Sequence, residues 1–219
     1  MNIQELLGKL HWLGHDSFRL DGPPVIYFDP WQLHLEDARD AVLVADLVLV
    51  SHEHGDHCSP DDIAAISGPD TVVICNPGSA EQLPTAKIIH PGESVTVTGV
   101  KIEAVRAYNT NKFRSPGVPF HPREADMVGY VVTIDGQRLY FAGDTDHIPE
   151  MSDIDCDVAL LPVSGKYVMT AEEAAAAARS IQPQVVVPMH YGSGIGTADD
   201  GESFTRHYEG HVVVLEAGS

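Results

Sequence analysis

The chain has 219 residues, of which 43% are hydrophobic, and we predict that they form one domain spanning residues 1–219. Asp and Glu number 32 against 13 Lys and Arg, which gives a formal charge of -19. Such a field repels phosphate backbones and anionic headgroups, so we expect a small-molecule substrate and neither nucleic acid nor membrane as a partner, with a homo-oligomer left open. The lack of an export signal or long apolar run, and an odd number of cysteines, predict a cytoplasmic protein.

Short strand-like segments alternate with turns near the start of the chain. Residues 10–13, 17–20 and 25–28 fit an antiparallel meander that leads into the core. Asp29 directly follows the third segment, where its carboxylate can cap the next turn or reach across to fix a neighbouring loop, and the sequence leaves both open. His15 lies between the first two segments, and it either supports a site or is only a turn residue.

An apolar run at residues 46–50 predicts a buried strand. Residues 31–45, which precede it, are mixed and charged and predict a loop with a short helix. The strand is followed by Ser-His-Glu-His-Gly-Asp-His at residues 51–57. Three imidazoles and a carboxylate so close together are costly to bury as neutral core, but they form a good ligand set for zinc or a similar cation. Because open α/β sheets place their chemistry at strand ends, we predict a metal site here.

Further helices and strands follow along the chain. Ser-Pro-Asp-Asp at residues 59–62 has the cap, the proline and the acidic first turn of a helix. A capping box at residues 170–173 opens an alanine-rich helix that we predict through residue 180. The remaining predictions are a short helix at 77–83 and strands at 71–75, 87–90, 94–98, 100–105, 129–134, 138–142, 158–161, 185–187 and 211–215.

A proline-rich segment at residues 109–125 separates the two halves of this pattern. It carries Pro116, Pro119 and Pro122, and it is too long for a turn, so we predict a loop without elements of its own. Loops of this length in compact domains are usually functional or disordered. We expect this loop above all to determine the substrate.

Four motifs, in order, resemble those of the metallo-β-lactamase fold superfamily. They are Gly-His and Asp-Pro at residues 14–15 and 29–30, His-x-His-x-Asp-His at 52–57, Gly-Asp at 143–144 and Pro-Met-His at 188–190. Gly-His together with Asp-Pro resembles the opening of the branch that includes ascorbate-6-phosphate lactonase and small metal-dependent hydrolases. The resemblance implies an α/β fold, an αββα sandwich of two mixed sheets packed face to face with helices outside, and two metals at one edge of the sheets.

The resemblance also implies a ligand set that two cations share. His52 and His54, two apart on a loop, converge on one ion. The second ion takes Asp56, His57 and His190. Asp144 bridges the two, since a carboxylate can give one oxygen to each cation. Ions in such sites lie about 3.5–4 Å apart and ionise a water near neutral pH, so we expect Asp56 and Asp144 to act in catalysis. Zinc is the first expectation, and Mn, Fe and Ni suit the same ligands.

The third histidine of the first ion is the open assignment. His121 lies in the proline-rich segment, and His90 ends a predicted strand; both precede Asp144. We favour His121 because of its order in the chain and its position in a loop. We also predict that Asn109 and Tyr191 support a ligand or polarise a substrate oxygen, although such polar loop residues are commonly just surface.

Together these residues predict a metal-dependent hydrolase. A water or hydroxide bound between two divalent metals would attack a lactone, ester or phosphodiester of a small molecule. Two alternatives stay open. One is a catalytically inactive metal-binding or regulatory domain, for which the same ligands suffice. The other is a di-iron redox protein of the same fold, which His54 disfavours because such proteins resemble a His-x-Glu-x-Asp pattern.

Overall fold

The computed structural model describes residues 1–33, 43–192 and 194–218. Most of the loop with a short helix that the sequence predicts over residues 31–45 lies outside the described residues. Within them the strands are β1 (Leu10–Gly14), β2 (Ser17–Leu20), β3 (Ile26–Phe28), β4 (Ala45–Val50), β5 (Ser67–Cys75), β6 (Lys87–Ile88), β7 (Ser94–Val97), β8 (Val100–Arg106), β9 (Phe113–Ser115), β10 (Val118–Pro119), β11 (Val128–Ile134), β12 (Gln137–Phe141), β13 (Val158–Pro162) and β14 (Val185–Met189). The α-helices are α1 (Ile3–Leu7), α2 (Pro60–Ile66), α3 (Ala171–Ile181) and α4 (Asp200–Thr205).

Two six-stranded mixed sheets form the centre of the fold. The first has the order β1-β2-β3-β4-β5-β6, in which β1 to β3 are antiparallel and β3 to β6 are parallel. The second has the order β14-β13-β12-β11-β8-β7, in which β12 to β14 are parallel and the other pairs antiparallel. The predicted α/β fold with two mixed sheets is confirmed.

Aromatic side chains join the inner faces of the two sheets. The ring of Phe28 in the first sheet lies 5.2 Å from that of Phe141 in the second, and Phe18 lies 6.4 Å from Phe141. All three are completely buried in one apolar cluster that draws on both sheets. Burial of this kind is the main stabilising term of such a core.

Helices cover other parts of the sheets. In α2, Ser59 caps the first turn and Pro60 occupies its first position, while Ile63 and Ile66 pack in a second apolar cluster with residues of the first sheet. In α3, Thr170 and Glu173 form the predicted capping box, and four buried alanines allow close contact with β13. Among the helices of the described ranges, none has the length and apolar character needed to span a bilayer.

Two sequence predictions for the elements are wrong in detail. The segment 109–125 is not a plain loop, because β9 and β10 pair as a small hairpin around Gly117, which has φ of +76°, and a 3-10 turn (Arg123–Ala125) follows. Proline is compatible with such a short edge strand. The predicted strand at 211–215 is only an isolated bridge, since the chain makes two backbone hydrogen bonds to Val186 and then diverges.

Candidate metal centre

Strand ends of both sheets meet at one edge of the sandwich. The histidine cluster follows β4, Asp144 follows β12, and His190 follows β14. The two sheets are tied together here, because the backbone N–H of Val128 donates to the carbonyl of Ser51 at 3.1 Å. Gly143, with φ of +61°, permits a close approach, since a Cβ there would lie 3.1 Å from the Cβ of Ser51. Residues distant in sequence are thereby held at one place.

Three histidines form the first group of possible ligands. A ring nitrogen of each of His52, His54 and His121 lies within 4.8 Å of the other two. Nε2 of His52 is 3.0 Å from Nδ1 of His54. Nε2 of His121 lies 3.1 Å from Oδ2 of Asp144. The first group therefore has three clustered imidazole nitrogens with a carboxylate oxygen of Asp144 beside one of them, and ligands of this type suit zinc.

A second group lies on the other side of Asp144. Oδ1 of Asp144 is 3.4 Å from Nε2 of His57 and 3.3 Å from Nε2 of His190. A carboxylate oxygen of Asp16 belongs to the same cluster, with ligand atoms within 4.8 Å of one another, and His15 forms a further cluster with His57 and His190. Asp144 thus directs one oxygen to each group, as a carboxylate shared by two cations would.

Each group's histidines are oriented by partners on the outer side of the ring. Nδ1 is engaged in four of them, at 2.7–3.0 Å, which directs Nε2 toward the centre. The pairs are His52 with Ser51, His57 with Asp29, His121 with Asn109, and His190 with Ser164. Such partners fix the tautomer and ring orientation of metal-binding histidines and increase their basicity.

Asp29 resolves the choice that the sequence left open for it. Its carboxylate reaches the neighbouring strand end, where it accepts hydrogen bonds from the backbone N–H of Ser51 at 2.7 Å and from the Ser51 hydroxyl at 2.5 Å. It also contacts Nδ1 of His57 at 2.7 Å. Asp29 therefore fixes the loop that carries the histidine cluster.

Backbone conformations at the centre are unusual. His15, Asp29 and His190 have φ of 52°, 39° and 60°, in the left-handed region that non-glycine residues rarely adopt. Such strain persists only where the surrounding structure enforces it, and it concentrates at functional sites. Here the enforcing contact includes the N–H of His190, which donates to the carbonyl of His15 at 3.1 Å.

Burial and close charges shift the pKa values strongly. Burial opposes the charged form of Asp144, yet His190, His57 and His121 hold its pKa well below the ordinary value. Burial likewise disfavours charge on His57, but the carboxylates of Asp144 and Asp29 raise its pKa well above the ordinary value. These opposed directions describe a carboxylate and an imidazole that stabilise each other's charge inside the protein.

The side chains at the centre fit a bound cation. Among the described residues, buried atoms without a hydrogen-bond partner include Nε2 of His57 and His190, Oδ1 of Asp144 and both carboxylate oxygens of Asp16. Buried polar atoms without partners are rare and costly. All of them are electron-pair donors of the kind that divalent cations bind. A cation would satisfy them together.

The sequence-predicted residues fall in different places around this centre. His121 joins the first group, whereas His90 is 52% exposed and lies 3.4 Å from Asp126. Asp56 is at the rim, 32% exposed, with Oδ2 at 3.3 Å from Nε2 of His15 and 3.9 Å from Nε2 of His57. Burial would raise its pKa, but His15 and His57 lower it below the ordinary value.

Two further predicted residues have distinct contacts. Asn109 accepts hydrogen bonds from the backbone N–H and Nδ1 of His121, and its amide donates to the carbonyl of Tyr167 at 2.9 Å. It thus supports a possible ligand. Tyr191 is 3% exposed, its ring lies 4.8 Å from that of Trp12, and a Cβ on Gly201 would meet its hydroxyl. The contacts of Tyr191 are those of a core residue.

Sequence reasoning missed three residues of the centre. Asp16 directly follows His15, so the dipeptide could have drawn attention to it, but nothing in the sequence indicates its burial. Ser51 begins the histidine cluster and supports His52. Ser164 lies 26 residues before His190 and carries no sequence signal, because only the packing of two strand ends brings it there.

Comparisons with known proteins agree with this geometry. The family model of the beta-lactamase superfamily domain matches residues 9–190, a range that contains both groups. A UPF0173 metal-dependent hydrolase of Thermococcus kodakarensis is 34% identical over 223 residues, 96% of this chain and 97% of that protein. A structure described as a metal-dependent hydrolase of Parabacteroides distasonis is 36% identical with a TM-score of 0.81, covering 94% of this chain and 93% of that one. Igni18, a metallo hydrolase of Ignicoccus hospitalis, is 26% identical with a TM-score of 0.78, over 96% and 95% of the two chains.

Proposed function

The chain belongs to the family of the beta-lactamase superfamily domain and is a metal-dependent hydrolase. We propose that it uses two divalent cations to cleave a lactone, ester or phosphodiester of a small molecule. The observation that carries this proposal is the position of Asp144 between the two groups, with one oxygen 3.1 Å from His121 and the other 3.3 Å from His190. The three relatives named above are not described as lactonases, so the narrower resemblance to ascorbate-6-phosphate lactonase stays a prediction.

The proposed ligands divide between two cations. His52, His54 and His121 would hold the first, and His57 and His190 the second, with Asp144 between them. Asp56 would add a carboxylate to the second set from the rim. When bound, divalent cations lower the pKa of water and polarise a carbonyl or phosphoryl oxygen. Zinc suits the imidazole-rich first group, and Mn, Fe and Ni are compatible with the same donors.

The chain's own residues would orient the metal-binding histidines and accept a proton from the attacking water. Asp29 and Asn109 hold the rings of His57 and His121 in place, which keeps the site ready for substrate without rearrangement. The carboxylate of Asp56 is partly exposed at the rim of the centre, where it can accept a proton from the attacking water. We propose that role for Asp56.

The side chains in and near the hairpin of β9 and β10 favour a small substrate that has an apolar part and an anionic group. Its Phe113 and Val118 are 48% and 47% exposed, and they precede His121 by eight and three residues. Phe120 packs against Tyr167 with ring centroids 4.7 Å apart. Lys166 lies 5.4 Å from the centre of the Tyr167 ring and has no ion pair among the described residues. In a chain of charge -19, this exposed lysine, two residues after the Ser164 that contacts His190, favours an anion.

The test is metal-dependent turnover. Protein freed of metal with a chelator would be reloaded with zinc, manganese or iron and assayed on a lactone, a carboxylic ester and bis(4-nitrophenyl) phosphate. We expect turnover on at least one class, lost in Asp144→Asn. Binding of metal without turnover on any class would favour an inactive binding or regulatory domain. Bound iron with oxygen consumption would favour a redox protein.

A further inference from the structure

Asp16 is a buried carboxylate that no hydrogen bond accounts for. Its side chain is 0% exposed, and neither oxygen has a hydrogen-bond partner among the described residues. A buried carboxylate without partners is among the most costly arrangements in a protein. The ionised form of this carboxyl therefore requires a nearby positive charge.

The imidazoles near Asp16 are shared with other carboxylates. Within the described ranges, the ion pair recorded for Asp16 is with His57, whose Nδ1 lies 3.9 Å from Oδ2 of Asp16. That nitrogen is already engaged by Asp29 at 2.7 Å. Asp144 has an oxygen in the same cluster as Asp16, within 4.8 Å, so a second negative charge repels the first. Neither a lysine nor an arginine of the described residues pairs with it.

Possible metal ligands surround the carboxylate of Asp16. One of its oxygens lies within 4.8 Å of the ligand atoms of His57, Asp144 and His190. Two imidazoles and two carboxylates around one point form a ligand set for a divalent cation. The Nε2 atoms of His57 and His190 also have no hydrogen-bond partner among the described residues.

We propose that Asp16 binds the cation of the second group directly through a carboxylate oxygen, together with His57, His190 and Asp144. This inference rests on the proposed function, because it requires a cation in the second group. It makes the two groups unequal. The first has three imidazoles and one oxygen of Asp144, whereas the second gains a fully buried carboxylate. Carboxylate ligands suit manganese, so the second group tolerates it better than the first.

Both tryptophans of the chain report on the second group. The chain has two, and the indole N–H of Trp12 donates to the carbonyl of His15 at 2.8 Å. The ring of Trp31 lies 5.3 Å from the ring of His15. His15 in turn lies 4.3 Å from the ring of His190. We therefore expect tryptophan emission to respond to a cation in the second group, while elemental analysis counts all bound metal.

The experiment titrates chelator-treated full-length chain with zinc and, separately, with manganese. For the wild type we expect two equivalents of zinc, one of which changes the tryptophan emission. In Asp16→Asn the emission-detected affinity should fall by about 10-fold to 100-fold, with one equivalent retained. Asp157→Asn is the matched control, since Asp157 accepts hydrogen bonds from the Arg138 N–H and the Gln184 amide, both at 2.8 Å, and lies outside both groups.

Thermal unfolding separates this role from a structural one. If Asp16 binds a cation, the metal-free Asp16→Asn chain melts no lower than the wild type, and zinc raises its melting temperature less. A lower melting temperature of the metal-free variant with unchanged zinc binding would overturn the inference. Asp16→Ser serves if the first variant does not fold. A wild type that takes up no cation overturns the proposed function as well, whereas equal binding by wild type and variants overturns the inference alone.

Discussion

Oδ2 of Asp29 lies 2.7 Å from Nδ1 of His57, joining the end of β3 to the histidine cluster after β4. Because the negative charge of Asp29 increases the basicity of His57, we expect Asp29→Asn to weaken divalent-cation binding by about 10-fold to 100-fold. Chelator competition measures this. Asp46→Asn is the control, since Asp46 also accepts a backbone N–H, that of Val25 at 2.7 Å, but has no contact with a histidine of the centre. Equal affinities in the two variants would refute the role of Asp29.

His121 and His90 give a paired test of the first group. His121→Ala removes a nitrogen that faces His52, His54 and Asp144, so we expect loss of about one metal equivalent and of most turnover. His90→Ala alters an exposed ring beside Asp126 and should change neither. Elemental analysis and steady-state rates provide the readouts. A chain that keeps full metal content without His121 would show that the third histidine is assigned wrongly.

Asn109 should act through His121. Asn109→Ala removes the acceptor of the His121 Nδ1 contact and the donor to the Tyr167 carbonyl, so we expect about 10-fold weaker metal binding and a lower kcat. Asn109→Asp keeps the acceptor and should restore most of the metal affinity. If alanine and aspartate at this position have the same effect, the contact with His121 is not the reason for it.

Lys166 should affect anionic substrates more than neutral ones. Its ammonium group is exposed beside Tyr167, so Lys166→Gln should raise KM for an anionic substrate by about 5-fold, as expected for loss of one exposed ion pair, without changing kcat. Lys101→Gln, at a lysine 3.0 Å from Glu103 on the second sheet, is the control. An equal rise for neutral substrates would point to lost packing and not to charge.

The metal-free chain should lose stability as the pH rises from about 6.5 to about 8. Burial raises the pKa of Asp16 from 3.8 to about 8, so the folded chain holds a proton there that the unfolded chain has lost. Burial opposes charge on His190, but Asp144 and Asp16 raise its pKa above 6.5. The folded chain therefore also holds a proton on His190 that the unfolded chain has lost, and stability falls as the pH rises above 6.5. Burial lowers the pKa of His15 to about 4, which increases stability with pH only below about 6.5.

The expected slope is about 1.4 kcal/mol per pH unit for each group that holds a proton only in the folded chain. Urea unfolding of chelator-treated protein at several pH values measures it. Saturating zinc should remove the decline, because a bound cation favours the deprotonated ligands. Constant or rising stability between these pH values in the metal-free chain would contradict the pKa directions at Asp16 and His190.

The sequence predicts those parts of the fold that depend on local patterns. The apolar run that became β4, the capping box of α3 and the alternation in β8 all appear where the pattern indicates them. The bridge at Val212 does not extend to a strand, because strand formation there depends on how long the chain stays beside β14. That length is a property of the tertiary structure, which a local pattern does not contain.

The candidate site divides in the same way. His52, Asp144 and His190 lie at strand ends within recognisable motifs, and the resemblance to the superfamily predicts that they form one site. The sequence does not indicate Asp16 or Ser164 as site residues. The burial of Asp16 and the contact of Ser164 with His190 arise only when the two sheets pack. Asn109 was expected to support a ligand or a substrate, and its hydrogen bonds favour the first.

The backbone hydrogen bond from His190 to His15, 3.1 Å long, spans almost the whole chain. A nascent polypeptide that has not yet exposed His190 outside the ribosome lacks one side of the second group. Such a chain already contains Asp16, His57 and Asp144, but it lacks the imidazole of His190 and the backbone contact of His190 with His15. We therefore expect the proposed second cation to bind tightly only after His190 has been synthesised, and a chain truncated before His190 to bind metal loosely at the histidine cluster.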